Sequence, residues 1–208
     1  MSLATAERAA LCDALLAAGP DRPTLCAGWR TRDLLAHLLV RERQPWAASG
    51  MFVPALSGIT DRAMHGYDTT PWEQMVGQLR AGPPPWSPFR FGPVDAVANA
   101  AEFFVHHEDV RRGEPGWAPR GPDPARDGEL WTLLGRMGRW LYRRSPVGVV
   151  LRRPSGAQIV AKTGEGLVTV VGEPGEIVLH AFGRDAARVE LEGVPADVET
   201  FSRLSRGV

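Results

Sequence analysis

Lysine is almost missing from this chain: Lys162 is the only one in 208 residues, so 23 of its 24 basic side chains are arginine. Together with 23 glycines and 18 prolines, this is the signature of a GC-rich coding sequence. Net charge is missing as well. The 24 basic and 24 acidic residues cancel, and no segment gathers a basic patch, which argues against nucleic acid or an anionic membrane as partner. No apolar run is long enough to span a bilayer. The N-terminal "MSLATAERAALCDALLAAG" carries charges through its apolar part, unlike the core of a secretory signal, so a cytoplasmic location is expected. With two cysteines, Cys12 and Cys26, there is no disulfide framework, and their spacing matches no zinc motif. Their contexts, "AALCDALL" and "TLCAGW", read as small buried thiols, with a nucleophilic Cys26 as the alternative. There is no internal repeat.

What remains is ordinary globular material. A hydrophobic fraction of 44% in a chain of this length can bury a real core, in one domain or two small ones. The first helix is expected over about residues 4 to 18, with Leu11, Leu15 and Leu16 on it and a stop at "GP". A second, "RDLLAHLLVRERQ", follows Thr31 as N-cap, with Asp33 suited to the positive end of the helix dipole. Residues 46 to 68 are weakly patterned. "TPWE" then predicts Thr70 as N-cap, Pro71 as first helical residue and Glu73 as capping-box partner of a helix ending near Gly82. "GPPPWSPFRFGP", residues 82 to 93, is an extended connector, since proline removes donors and fixes the backbone. A helix over about 94 to 112 comes next. Asp127 opens another, whose Leu130, Leu134, Met137 and Leu141 define one apolar face.

After Pro146 the period changes. "VGVVLRR", "AQIVAK" and "LVTVVG", separated by "PSG" and "TGEG", predict a small antiparallel sheet. "PGEIVLHAFGR" reads as a helix from Pro174, "RVELEG" as a strand and "PADVETFSRL" as a last helix. The expected organisation is α+β: a four-helix bundle over 1–145 and a small α+β domain over 146–208.

Chemistry concentrates in "AEFFVHHEDVRR", residues 101 to 112. Glu102 and His106 are four apart and share one helix face, close enough to share an ion, while His107 points about 100° away. Asn99, Glu102, His106 and Asp109 form one stripe. A stripe of this kind is first of all what a solvated helix face looks like, and a site is the sharper alternative. His37, in the apolar run "LLAHLLV", needs a partner for its ring nitrogens if buried. A satisfied core histidine is the plainer reading. If the two helices face each other, His37, Glu102 and His106 make a set of two nitrogens and one carboxylate, suited to a divalent metal such as zinc with an open position. Asn99 and Asp109 would then orient ligands. Trp86, in "PPPWSPF", is a candidate pocket wall. His65 and His180 have no partner motif.

"TLCAGWRTRDLLAHL", a Pro-rich connector, "NAAEFFVHHEDVRR" and "VTVVGEPGEIVLHAFGR" together resemble the mycothiol-dependent maleylpyruvate isomerase superfamily, over nearly the whole chain. The "EFFVHHEDVRR" wording is similar to an actinobacterial subfamily known mainly as uncharacterised metal-binding proteins. The resemblance implies a DinB-like four-helix bundle followed by a small domain related to sterol-carrier folds. It implies a metal on His37, Glu102 and His106, and mycothiol as co-substrate of a thiol transferase or isomerase. It also implies a substrate-binding arginine near the domain interface, for which Arg184 in "HAFGR" is the candidate. A non-catalytic metal- or ligand-binding protein on the same scaffold is the rival expectation. A small thiol and an electrophile are the expected partners, and pairing into a homodimer through helices would suit the bundle.

Overall fold

The computed structural model describes residues 2–44, 46–47, 57–87, 93–204 and 206, with the backbone alone described at 57 and 93–98. The chain divides into two compact units, Met1–Ala118 and Pro119–Val208. The fold is α+β, with the helices first and a four-stranded sheet in the second unit.

The first unit holds α1 (Leu3–Ala18), α2 (Thr31–Arg43), α3 (Ser57–His65), α4 (Trp72–Arg80) and α5 (Pro93–Arg111). α1 starts where the Ser2 hydroxyl accepts the Thr5 N–H, and stops at Gly19, whose φ of 75° is open to glycine and strained for other residues. Thr31 is not the cap of α2. Arg30 occupies that position, its N–H donating to Asp33 at 2.8 Å, and the Thr31 hydroxyl donates to the Gly19 carbonyl at the end of α1. α4 begins one residue later than Pro71, which takes the cap position expected of Thr70. α3 lies where the sequence is weakly patterned. Residues 88–92 of the connector 82–93 are outside the described residues.

The core of this unit is made by Leu11, Cys12 and Leu15 of α1, Leu34, Leu35, Leu38 and Leu39 of α2, Met75, Val76 and Leu79 of α4, and Phe103 of α5. Each leucine here is fully buried and contributes about 1.5–3 kcal/mol through removal of apolar surface from water. The pairs 34/35 and 38/39 cover more than a third of α2, which leaves His37 and Arg41, one turn apart, on the remaining side.

The loop from Pro23 to Arg30 closes on itself and on the end of α5. The Thr24 N–H donates to Trp29 O, and the Leu25 N–H donates to Asp109 O at 3.1 Å. Just past α5, Gly113 lies so near this loop that a Cβ on it would stand 2.1 Å from Pro23 O.

The second unit opens with α6 (Pro124–Leu141), three residues earlier than Asp127 suggested: Asp123 is the N-cap and accepts from the Ala125 and Arg126 N–H groups. α6 had been expected within a bundle over 1–145. The compact division falls before it, and α6 packs on β2 and on α7 of its own unit. The strands are β1 (Gly148–Arg152), β2 (Gln158–Lys162), β3 (Leu167–Val171) and β4 (Glu190–Gly193), with α7 (Pro174–Ala181) and α8 (Pro195–Ser202). Their order is β2-β1-β3-β4, and β1 pairs with β3 in parallel, so the sheet is mixed rather than antiparallel. The connection after β2 crosses the start of β1 and delivers β3 to its far side. Glycine permits that crossing: a Cβ on Gly148 would lie 2.9 Å from Gly166 O, and Gly166 itself has φ of 73°. Val149, Leu151, Ala161, Val168 and Val170 form the buried side of the sheet. Next to it Tyr142, His180 and Phe201 stack, with the Tyr142 hydroxyl 2.9 Å from His180 Nδ1.

Candidate metal centre

From Asn99 to Asp109, α5 is no surface helix. Its apolar residues Ala100, Ala101, Phe103, Phe104 and Val105 are buried, and so are the polar Asn99, His106, His107, Glu108 and Asp109. A helix buried on nearly every side needs partners for every polar group, and "EFFVHHEDVRR" supplies them. Glu108 accepts from Arg111 at 2.7 Å and from Arg112 at 2.5 Å, and the Arg112 guanidinium sits 4.4 Å from the Trp117 ring centre. His107 turns to α1, where its Nδ1 is 2.9 Å from Glu7 Oε2, and so is engaged away from Glu102.

The remaining stripe meets α2. His37 Nε2 is 3.1 Å from Glu102 Oε1, and His106 Nε2 is 3.3 Å from the same oxygen. The two imidazole rings are 5.2 Å apart. On its other nitrogen, Nδ1, His106 is 2.8 Å from Asp109 Oδ2, which also accepts from the Cys26 thiol at 3.2 Å. Arg41 donates to Asn99 Oδ1 at 2.5 Å and stands 3.8 Å from Glu102 Oε1. The Trp29 ring lies 5.1 Å from that of His37 and also lines an open cleft of about 300 Å³ with Asp21, Pro23, Thr24, Gly28 and Arg30.

The charge states follow from these contacts. Burial pushes the His37 pKa down, and the hydrogen bond to Glu102 only partly offsets it, so His37 is neutral. Burial acts on His106 in the same sense. There it is outweighed by hydrogen bonds to Asp109, Cys26 and Glu102, which hold the imidazolium well above the usual histidine range. For Glu102 burial favours the neutral acid, but the hydrogen bonds from His106 and His37, with Arg41 beside them, keep it ionised well below the usual carboxylate range. His106 is therefore an imidazolium held between two carboxylates.

The donor atoms of His37, Glu102 and His106 all lie within 4.8 Å of one another. Two imidazoles and a carboxylate are a borderline-hard set that suits zinc and its neighbours, and the proton on His106 Nε2 occupies the place a cation would take. With 22% of its side-chain surface exposed, Glu102 leaves the set open to solvent on one side. The residues present fit a divalent metal.

Other expected site residues lie elsewhere. Asn99 touches the set through Arg41. Trp86 is largely exposed and stacks on Trp46, 6.1 Å between centres. Arg184 belongs to the second unit, where its guanidinium donates to Phe182 O just past α7. His65 bonds the Asp61 carbonyl. Arg41 and the Asp109 side of the site could be found by counting, at four residues past His37 and three past His106. Cys26 could not, because its approach depends on how the Pro23–Arg30 loop closes.

The α+β fold of this chain has known counterparts. Residues 1–85 match the family model described as the mycothiol maleylpyruvate isomerase N-terminal domain, in line with the resemblance read from the sequence. Two solved structures share the fold. A crystal structure of the mycothiol-dependent maleylpyruvate isomerase aligns with a TM-score of 0.57 at 19% identity, covering 93% of this chain and 92% of that one. A crystal structure of a histidine-to-alanine mutant of the isomerase gives a TM-score of 0.58 with the same identity and coverage. No curated protein matches the sequence. Among the described residues, no helix is long and apolar enough to cross a membrane.

Proposed function

We propose that the chain holds one divalent metal, zinc by preference of the donors, on His37, Glu102 and His106, and uses it to activate mycothiol or a similar small thiol for an isomerase or transferase reaction. The observation that carries this reading is the convergence of His37 Nε2 and His106 Nε2 on one oxygen of Glu102. The N-terminal domain family supports the choice of thiol. A bound metal with an open position lowers the pKa of a thiol beside it, so that the nucleophilic thiolate is present at neutral pH.

The chain's own residues prepare for this. Asp109 fixes the His106 ring so that Nε2 faces the open side. Neutral His37 becomes a ligand through Nε2 by shifting its proton to Nδ1, with no net loss of a proton. Arg41, steadied by Asn99, keeps Glu102 ionised and limits its movement. Trp29 covers one flank of His37 and excludes water from it. Arg184 and Trp86 remain proposals as substrate-binding residues.

The test is metal content by mass spectrometry of the purified chain, beside His37→Ala and Glu102→Ala expressed identically. About one metal per chain more in the wild type than in either variant is expected, and added thiol should react faster with an electrophile in the wild type alone. A wild type that takes up no metal on reconstitution overturns the reading. Full metal without any gain in thiol reactivity would favour a metal-binding protein that is not an enzyme.

A further inference from the structure

His106 presents its two ring nitrogens to two different donor sets. Through Nε2 it faces Glu102 and His37, and through Nδ1 it faces Asp109 Oδ2, at 2.8 Å, with Cys26 Sγ 3.2 Å beyond that same oxygen. On each side the order is the same: an imidazole nitrogen, a carboxylate oxygen and a third metal-ligating atom. The three donor atoms of the Cys26 side also lie within 4.8 Å of one another. We propose that the chain has a second cation site, for a thiophilic divalent ion, formed by Cys26 Sγ, His106 Nδ1 and Asp109 Oδ2.

The separations support this. Ligand atoms about 2.0–2.3 Å from a tetrahedral ion stand roughly 3.3–3.7 Å apart, so the observed 2.8 and 3.2 Å require the side chains to open by only some tenths of an ångström. The backbone holds the sulfur in place. The Cys26 N–H donates to Thr24 Oγ1, the Cys26 carbonyl accepts from Trp29, and the neighbouring Leu25 N–H is bonded to the carbonyl of Asp109 itself. Access is from the Cys26 side, because Cys26 is half-buried while Asp109 is fully buried. The ligand type sets selectivity: a thiolate with an imidazole prefers zinc or cadmium to magnesium or calcium, and prefers them more strongly than the all-nitrogen-and-oxygen set on the other side of the ring. Binding replaces two protons, one on the Cys26 sulfur and one on His106 Nδ1, and involves no oxidant or reductant.

Cadmium chloride is the probe, because sulfur bound to cadmium gives an ultraviolet charge-transfer band that nitrogen and oxygen ligands do not. Titrated into the metal-free full-length protein, cadmium should produce this band, saturating at about one equivalent. His37→Ala should retain the band, since it breaks only the other donor set. Cys26→Ser should lose the band and still bind zinc at His37, Glu102 and His106, so failure here and failure of the proposed function are separate results. No band in the wild type overturns the proposal whatever the variants do. A band that survives Cys26→Ser belongs to Cys12 and also overturns it. A band lost in His37→Ala places the sulfur on the first donor set and rules out a second.

Discussion

His106 Nδ1 lies 2.8 Å from Asp109 Oδ2, one helical turn further along α5, and this single contact fixes which ring nitrogen His106 directs at Glu102. A histidine free to rotate would present either nitrogen. Asp109→Asn should therefore lower zinc affinity by roughly 10–100-fold while far-ultraviolet circular dichroism stays unchanged. Competition with a chromophoric chelator measures it, and a change of less than about twofold would show that Asp109 does not orient the ring.

Gly113 bears on the same region from outside it. Any side chain there drives a Cβ to 2.1 Å from Pro23 O and 2.8 Å from Thr24 Cα, both backbone atoms that cannot swing aside. Gly113→Ala should push the Pro23–Arg30 loop off the end of α5, destabilise the first unit by about 1–3 kcal/mol and raise the reactivity of Cys26 toward a thiol reagent. Urea unfolding and the rate of thiol labelling report the two effects.

A buried ion pair joins α1 to α2. Arg8 reaches both carboxylate oxygens of Glu42, one at 3.0 Å, donates to Leu79 O at 2.8 Å and stacks 4.3 Å from the Phe103 ring centre. Glu42 is fully buried, so Glu42→Ala strands a guanidinium in the core and should cost about 3 kcal/mol or more. The double variant Arg8→Met with Glu42→Leu should recover much of that loss in thermal unfolding, since it removes the stranded charge as well.

In the second unit His180 contributes to the acid dependence of stability. Burial, with Arg206 nearby, lowers its pKa to about 3, and its Nδ1 lies 2.9 Å from the Tyr142 hydroxyl. The folded pKa lies below the ordinary value of 6.5, so the unfolded chain takes up a proton between those two pH values that the folded chain refuses. Stability from this group is complete above about pH 6.5 and falls as the pH falls, by about 3 kcal/mol at pH 4.5. His180→Asn should unfold with a shallower acid dependence over this range. Denaturation midpoints at several pH values decide it, and parallel curves for the two proteins would show that His180 does not contribute.

Much of this was legible in the residues because it depends on period. Glu102, His106, Asp109 and Asn99 share a face by the helical repeat alone, and α1, α2, α7 and α8 announce themselves by apolar spacing or by proline at the first turn. Burial of that face was not legible. A polar stripe looks the same in water as it does against another helix, and only His37, Arg41 and the folded Pro23–Arg30 loop show which applies. The parallel pairing of β1 with β3 was hidden for a related reason: turn signals say where a chain reverses, not on which side of an earlier strand it returns. Local caps misled by one residue at Thr31 and Thr70, where neighbouring residues took the cap and, at Thr31, tertiary hydrogen bonding took the hydroxyl.

All of Cys26, His37, Asn99, Glu102, His106 and Asp109 precede Ala118, so a single compact unit encodes the whole donor array. That arrangement divides what the two halves of the gene are free to change. Changes after Pro119 leave all of these donors untouched, whereas α5 from Asn99 onward carries donors on one face and core on the others, so few of its described positions are free to vary.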